Sequence, residues 1–155
     1  MELKPTQGLA VPPISKLVLT PAHCELMRAH VERCLPFEAC GLLAGKLGTV
    51  QEVIVITNKL RSSTRFRMEP AEQVRAFAAI ESRGLELLGI FHSHPADPGT
   101  ADAVRVGLSA TDIAEAAYPV VHVLWSRARG QWAAKGYWIV GEQVSEVVLD
   151  IMELG

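Results

Sequence analysis

Two histidines, His92 and His94, are separated by a single residue in the stretch FHSHP. They follow a nearly continuous apolar run, residues 85–91, which is typical of a strand buried on both faces of a sheet. Side chains alternate along a strand with a period of two, so both imidazoles point to the same side. The pair can therefore offer two nitrogen ligands to one metal ion where a buried strand ends.

A third ligand is available in the tetrapeptide SATD, which runs from Ser109 to Asp112. The pattern S-x-x-D before an apolar helical segment is also close to a capping box, with Ser109 as N-cap and Asp112 in the first turn. Capping and metal ligation are compatible, because a cap fixes the helix end and aims the carboxylate.

A hydrolytic metal site also needs a group that takes up and returns a proton. Glu38 is the candidate, since it stands in LPFEACGLLAG between a helix that Pro36 breaks and an apolar strand. The alternative is a solvated corner between helix and strand. The residues of this segment leave both interpretations open.

Taken together, these segments resemble the JAMM (JAB1/MPN/Mov34) metalloprotease family, whose pattern is an upstream Glu, then H-[ST]-H-P, then S-x-x-D. Asn58 and the stretch RFRMEP, residues 65–70, are similar to prokaryotic members of the Mec-type and deubiquitinase-like kind. The resemblance extends from about residue 16 to residue 140. Each piece is weak alone, but their order and combination are highly specific.

The resemblance implies the role of each residue. Zinc (Zn²⁺) would be held by His92, His94 and Asp112. Glu38 would be the base and proton shuttle, and Ser109 would help to stabilise the tetrahedral oxyanion. Two imidazoles and one carboxylate also leave one coordination position open, as a catalytic rather than a structural zinc requires.

The spacing between the two parts of the motif departs from the family pattern. Fourteen residues separate His94 from Ser109, several more than is usual, and they include Asp97 and Asp102 as rival carboxylates. We favour Asp112 as the ligand, because it alone sits in S-x-x-D, where a helix start gives its side chain a fixed direction.

The activity that the resemblance implies is zinc-dependent hydrolysis of the peptide or isopeptide bond after the C-terminal Gly-Gly of a ubiquitin-like protein. An alternative within the same chemistry is release of an amino acid such as cysteine from a ubiquitin-like sulfur-carrier protein. A non-catalytic MPN scaffold is a third interpretation, against which the intact set of candidate residues argues. DNA-repair and phage-tail relatives of the fold receive no support from charge or from extra domains.

The fold class expected is α/β: a JAMM/MPN-type α/β/α sandwich with a mixed central sheet and helices on both faces, an architecture resembling cytidine deaminase. We predict an N-terminal arm over residues 1–15 and one metalloprotease domain over residues 16–155. Periodicity and turn residues predict helices at residues 22–34, 70–83 and 109–117, and strands at residues 16–20, 39–45, 49–57, 85–91, 120–125, 131–140 and 144–149.

Composition limits the classes of partner. A chain of 155 residues with 49% apolar and 21% charged residues is typical of one globular domain, and a net charge of −2 argues against nucleic acid. The apolar runs are too short to span a membrane, so we expect a cytoplasmic protein without a membrane partner. The sequence leaves the oligomeric state open, a homodimer included.

The remaining candidates for chemistry are predicted to be structural. Cys24, Cys34 and Cys40 fit neither a disulfide framework nor a zinc finger, which favours free buried thiols. Ser93 should point away from the histidines that flank it. The other three histidines are expected in the core or on the surface without a role in chemistry: His23, His30 and His122.

Ala96 and Leu108 bound a segment (residues 96–108) that we predict to be a mobile flap over the substrate tail. It joins the histidine strand to the helix of Asp112, and Pro98, Gly99 and small polar residues give it little core to pack against. Replacing residues 96–106 with a Gly-Ser link should preserve fold and zinc. It should raise KM for a ubiquitin-like substrate much more than for a short peptide, whereas equal effects on both would make the segment a tolerated insertion.

Overall fold

The protein is described here by a computed structural model that covers residues 14–96, 108–114, 116 and 118–153. Its helices and strands are, in chain order, β1 (Lys16–Leu19), α1 (Pro21–Arg33), β2 (Cys40–Lys46), β3 (Thr49–Ile56), α2 (Pro70–Ser82), β4 (Glu86–His94), α3 (Ala110–Ala114), β5 (Val121–Ala128), β6 (Gln131–Val140) and β7 (Gln143–Ile151).

All of the strands belong to one mixed sheet with the order β1-β3-β2-β4-β5-β6-β7. At its centre β4 pairs antiparallel with β2 and parallel with β5. The sheet curls until β1 closes it, because β1 runs parallel to β7 along its length and also meets β3 at Val18. The mixed sheet is confirmed, but the sequence did not indicate this closure.

Two hydrophobic cores lie on opposite faces of the sheet. One collects residues from every strand around Met27 and Val31 of α1. The other packs Ala76 and Ile80 of α2 against β2, β3 and β4. Neighbouring residues of one strand serve different cores, as Phe91 and Ile90 do in β4. The prediction of helices on both faces of the sheet is therefore confirmed.

The helix starts follow from local sequence. Thr20 caps α1 through a reciprocal pair of hydrogen bonds with His23, and proline occupies the first turn. The Glu69 carboxylate accepts the Glu72 N–H at the start of α2. His23 is thus a capping residue. His30 is buried, and its Nε2 hydrogen-bonds to the Cys40 carbonyl.

Several predictions concern residues outside the described part of the chain. Residues 1–13, most of the predicted arm, belong there, as do residues 97–107 with the rival carboxylates Asp97 and Asp102. The arm and the flap therefore stay predictions. Among the described helices, none has the length and apolar character needed to cross a membrane.

The prediction for the three cysteines needs a correction. All three are free thiols, but only Cys40 is buried, while Cys24 and Cys34 are half-buried. Cys24 in α1 and Cys34 at its C-cap pack against the edge of the core on the α1 side, whereas Cys40 of β2 lies inside the opposite core. Burial raises the pKa of the Cys40 thiol, so a thiolate nucleophile there is disfavoured.

Ser93 of β4 forms hydrogen bonds to Ala39, the residue directly before β2. Its side chain is fully buried, and its Oγ accepts the Ala39 N–H at 2.8 Å. The Ser93 N–H in turn donates to the Ala39 carbonyl at 3.1 Å. The hydroxyl therefore serves main-chain pairing next to Glu38.

Replacing Ser93 with Ala should lower the free energy of unfolding by about 1–3 kcal/mol, because it leaves the buried Ala39 N–H without its acceptor. Urea unfolding in the presence of a chelator measures this without a contribution from bound metal. Ser93→Thr keeps the hydroxyl and should lose less, and Ser145→Ala on the exposed face of β7 is the control. An unchanged stability in Ser93→Ala would mean that this hydrogen bond is not needed.

Candidate metal centre and active site

Three side chains converge at the C-terminal end of β4. His94 Nε2 lies 2.9 Å and His92 Nε2 lies 3.2 Å from the same carboxylate oxygen, Oδ2 of Asp112. Their potential ligand atoms all lie within 4.8 Å of one another, and both histidines are buried. The structure thus brings together the three residues that the sequence predicted as metal ligands.

Each ligand is held by a regular element. His92 and His94 alternate with Ser93 on β4, which puts both rings on one face. Ser109 and Asp112 form a reciprocal cap: the Asp112 N–H donates to Ser109 Oγ, and the Ser109 N–H donates to Asp112 Oδ2, both at 3.0 Å. The cap fixes the carboxylate against the two rings, so capping and convergence with the histidines occur together.

The electrostatics favour an ionised carboxylate. Burial by itself raises the pKa of the Asp112 carboxyl, but hydrogen bonds from His92 and His94 outweigh it and hold that pKa well below its usual range. The group therefore carries a full negative charge at any pH near neutrality. A buried anion beside two imidazoles is a strong attraction for a cation.

The donor set fits zinc. Zinc binds imidazole nitrogen and carboxylate oxygen at about 2.0–2.2 Å, which in a tetrahedron separates neighbouring ligand atoms by roughly 3.3 Å. The two nitrogen-to-oxygen distances at Asp112, 2.9 and 3.2 Å, are already near that value. Small shifts would admit the ion, and three protein ligands leave a position for substrate or water.

Glu38 lies beside these residues at the entrance to β2. Its side chain is fully buried, its N–H donates to the Ser62 carbonyl at 2.7 Å, and its own carbonyl accepts from Asn58 Nδ2 at 3.0 Å. Cys40 pairs with His92 in the antiparallel register of β2 and β4. Two residues further along, the same register places Glu38 opposite His94. The solvated-corner interpretation is therefore wrong, because nothing of Glu38 is exposed.

Asn58 organises the loop between β3 and α2, residues 57–69, which packs next to Glu38. Sequence reasoning did not assign this role. Its amide Nδ2 donates to the carbonyls of Glu38 and Arg65, at 3.0 and 3.1 Å. Its Oδ1 accepts the N–H groups of Leu60 and Arg67, at 3.0 and 3.1 Å. One buried side chain thus joins Glu38 to both ends of the loop. The position of Asn58 directly after a strand was the available signal.

The stretch RFRMEP gives this loop its contacts. The Phe66 ring stacks on the His92 imidazole, with centroids 4.7 Å apart and planes 24° apart. Met68 is buried in the core under α2, and Glu69 and Pro70 begin that helix. The motif therefore holds an aromatic ring against a metal ligand. The sequence identified the motif but not this stacking.

A cavity of about 450 Å³ opens beside the ligands. Its walls include Phe66 and Met68 from the loop, Tyr118 and the ligands His92 and Asp112. His122 also lines it, a position that the sequence did not indicate. The ring is buried, and its burial and the neighbouring His92 lower the pKa of His122 to about 4, so it is neutral near pH 7.

Comparison with known proteins decides the family. Residues 20–147 match the family described as prokaryotic homologs of the JAB domain. The chain belongs to the JAB, or JAMM, family. The matched range spans Glu38, both histidines of β4, Ser109 and Asp112.

Individual relatives of this JAMM chain are enzymes by name. The CysO-cysteine peptidase of Mycobacterium tuberculosis is 32% identical over 131 residues, which cover 82% of this chain and 85% of the relative. A desampylase of Pyrococcus furiosus is 46% identical over 61 residues, which are 39% of this chain and 44% of the relative's length. A protein of Desulfitobacterium hafniense with a solved structure superimposes with a TM-score of 0.76 at 32% identity, covering 89% of this chain and 94% of that one.

Replacing His92 with Ala should weaken zinc binding more than about 100-fold, because the JAMM site would lose one of its three protein ligands. Competition with a chromogenic chelator measures the affinity, and elemental analysis gives the occupancy. Asp97→Ala and Asp102→Ala are the matched controls and should bind zinc as the unmodified protein does. If either control loses zinc while His92→Ala keeps it, the ligand assignment is wrong.

Proposed function

We propose that this protein is a zinc-dependent peptidase or isopeptidase that cuts after the C-terminal Gly-Gly of a ubiquitin-like protein. The observation that carries the proposal is the convergence of His92, His94 and Asp112, with the buried Glu38 opposite His94 in the register of β2 and β4. A non-catalytic scaffold would have no need to bury four ionisable groups at one strand end, since such burial is costly.

The proposed roles follow from position. Zinc held by His92, His94 and Asp112 would polarise the scissile carbonyl and increase the acidity of water. Glu38 accepts one proton from the attacking water and gives it to the leaving amine, so that acid and amine products balance. The hydroxyl of Ser109 accepts the Asp112 N–H, which leaves its own proton available to donate to the developing oxyanion.

A second candidate is release of a single amino acid, such as cysteine, from a ubiquitin-like sulfur carrier. The observation that favours it is the similarity to a CysO-cysteine peptidase over most of both chains. The two candidates share the acyl side of the substrate and differ in the leaving amine. The segment of residues 96–108, which we propose to contact the substrate tail, would then act in either case.

Substrate identity can be tested with the ubiquitin-like proteins of the same genome, each extended after Gly-Gly by a lysine isopeptide, a linear tag or a single cysteine. Mass spectrometry of the products locates the cut and ranks the three leaving groups. Cleavage after Gly-Gly that a chelator stops and zinc restores is the expected outcome. Absence of cleavage of every conjugate would contradict the proposal.

Replacing Glu38 with Gln should lower kcat by about 10²–10⁴ while zinc occupancy is unchanged, because the amide cannot carry the proton and the residue is not a ligand. Steady-state kinetics and elemental analysis on the same preparation measure both. Glu81→Gln, on the exposed side of α2, is the matched control. Full activity in Glu38→Gln would remove this residue from the mechanism.

A further inference from the structure

His122 carries a buried ring nitrogen, Nε2, with no hydrogen-bond partner among the residues that the structure describes. The side chain is only 7% exposed and forms part of the cavity wall beside the metal ligands. Its ring also hydrogen-bonds to the main chain of Tyr118. Since Nε2 is the nitrogen without a partner, we assign that bond to Nδ1. A buried polar atom without a partner is costly, so Nε2 has a place for a partner that is not among the described residues.

The bond to Tyr118 fixes what Nε2 can do. That bond favours the protonated ring, as a bond to a main-chain carbonyl does, and we therefore assign the proton to Nδ1. In the neutral ring the other nitrogen is then a lone-pair acceptor. His122 Nε2 therefore requires an N–H or O–H donor.

The position of His122 relative to Glu38 separates two sides of the site. On one side of β4, Cys40 of β2 pairs with His92, and Glu38 precedes it near the level of His94. On the other side, His122 of β5 pairs with Ile90. His122 and Glu38 thus lie diagonally across the histidine pair.

This arrangement indicates on which side of the metal ligands each half of the substrate lies. The leaving amine must receive its proton from Glu38, so the amine lies on the β2 side of the metal ligands. The acyl half, which ends in Gly-Gly, then extends towards β5 and the cavity that His122 lines. Glycine residues offer only main-chain groups for recognition, and a fixed acceptor matches a main-chain N–H.

We propose that His122 is a substrate-binding residue that accepts, at Nε2, a main-chain N–H of the tail on the acyl side of the scissile bond. The inference rests on the proposed function, because it takes the orientation of the substrate from the role of Glu38. It does not depend on the identity of the leaving group.

Two amide substitutions separate this role from a structural one. His122→Asn retains a donor near the place of Nδ1, and so the bond to Tyr118, but loses the acceptor at the place of Nε2. His122→Gln reaches the place of Nε2 with its carbonyl oxygen but loses the bond to Tyr118. A residue needed only for the fold would tolerate Asn better than Gln, whereas an acceptor for substrate would tolerate Gln better.

The measurement is the Kd of each zinc-loaded protein for a cleaved ubiquitin-like protein that ends in Gly-Gly, by calorimetry, together with KM and kcat on its conjugate. We expect His122→Asn to weaken binding and raise KM by about tenfold with kcat within about threefold, and His122→Gln to stay within about threefold of the unmodified protein. Zinc content should be unchanged in both, and any fall in melting temperature should be larger in His122→Gln, which loses the bond to Tyr118.

Each other outcome overturns the inference in a recognisable way. Loss of zinc in His122→Asn would make His122 a metal ligand. Unmodified affinity in both variants would mean that water, and not substrate, satisfies Nε2. If the unmodified protein neither binds nor cuts any Gly-Gly conjugate, the proposed function fails and this inference with it. If it cuts them and His122→Asn is normal, only this inference fails.

Discussion

The ionised carboxylate of Asp112, buried between two imidazole rings, is the interaction on which the site depends. A charge in that position needs donors on every side, and it has them in His92, His94 and the N–H of Ser109. The same donors would be costly to bury without the carboxylate. Asp112 therefore links helix α3 to strand β4 at this point. A bound cation would balance the negative charge of its carboxylate.

Rigid main-chain contacts support this centre from the β2 side. The Ser93 hydroxyl accepts the N–H of Ala39, and the Asn58 amide donates to the carbonyl of Glu38. The main-chain carbonyl of Ser62 accepts the N–H of Glu38. A catalytic carboxyl needs a fixed location more than it needs flexibility. The fold supplies that location with polar contacts that cross from β4 to β2 and from β2 to the loop before α2.

The site is asymmetric about β4. The proposed base, Glu38, lies on the β2 side, whereas His122, whose Nε2 has no partner among the described residues, lies on the β5 side and lines the cavity. Hydrolysis of an amide also needs different groups for the two halves of the substrate. The leaving amine must be protonated, and the acyl part must be held in place. The order of strands in the sheet therefore gives the substrate a direction.

The sequence by itself determined the elements and the group of residues that could hold a metal ion, His92, His94 and Asp112. Period-two alternation placed His92 and His94 on one face, and S-x-x-D aimed Asp112, because both rules act within a few residues of chain. Most boundaries of the helices and strands agreed within one or two residues, but β4 and β5 each end three residues later than predicted.

Only the tertiary structure decided the contacts between distant segments. The stacking of Phe66 on His92, the hydrogen bonds of Asn58 and the burial of Glu38 join residues that no local rule connects. The role of His122 depends on β5 lying parallel beside β4, and the closure of the sheet depends on β1 meeting β7. These contacts depend on the order and register of the strands. The packing of the whole chain fixes both, and the periodicity of a short segment does not predict them.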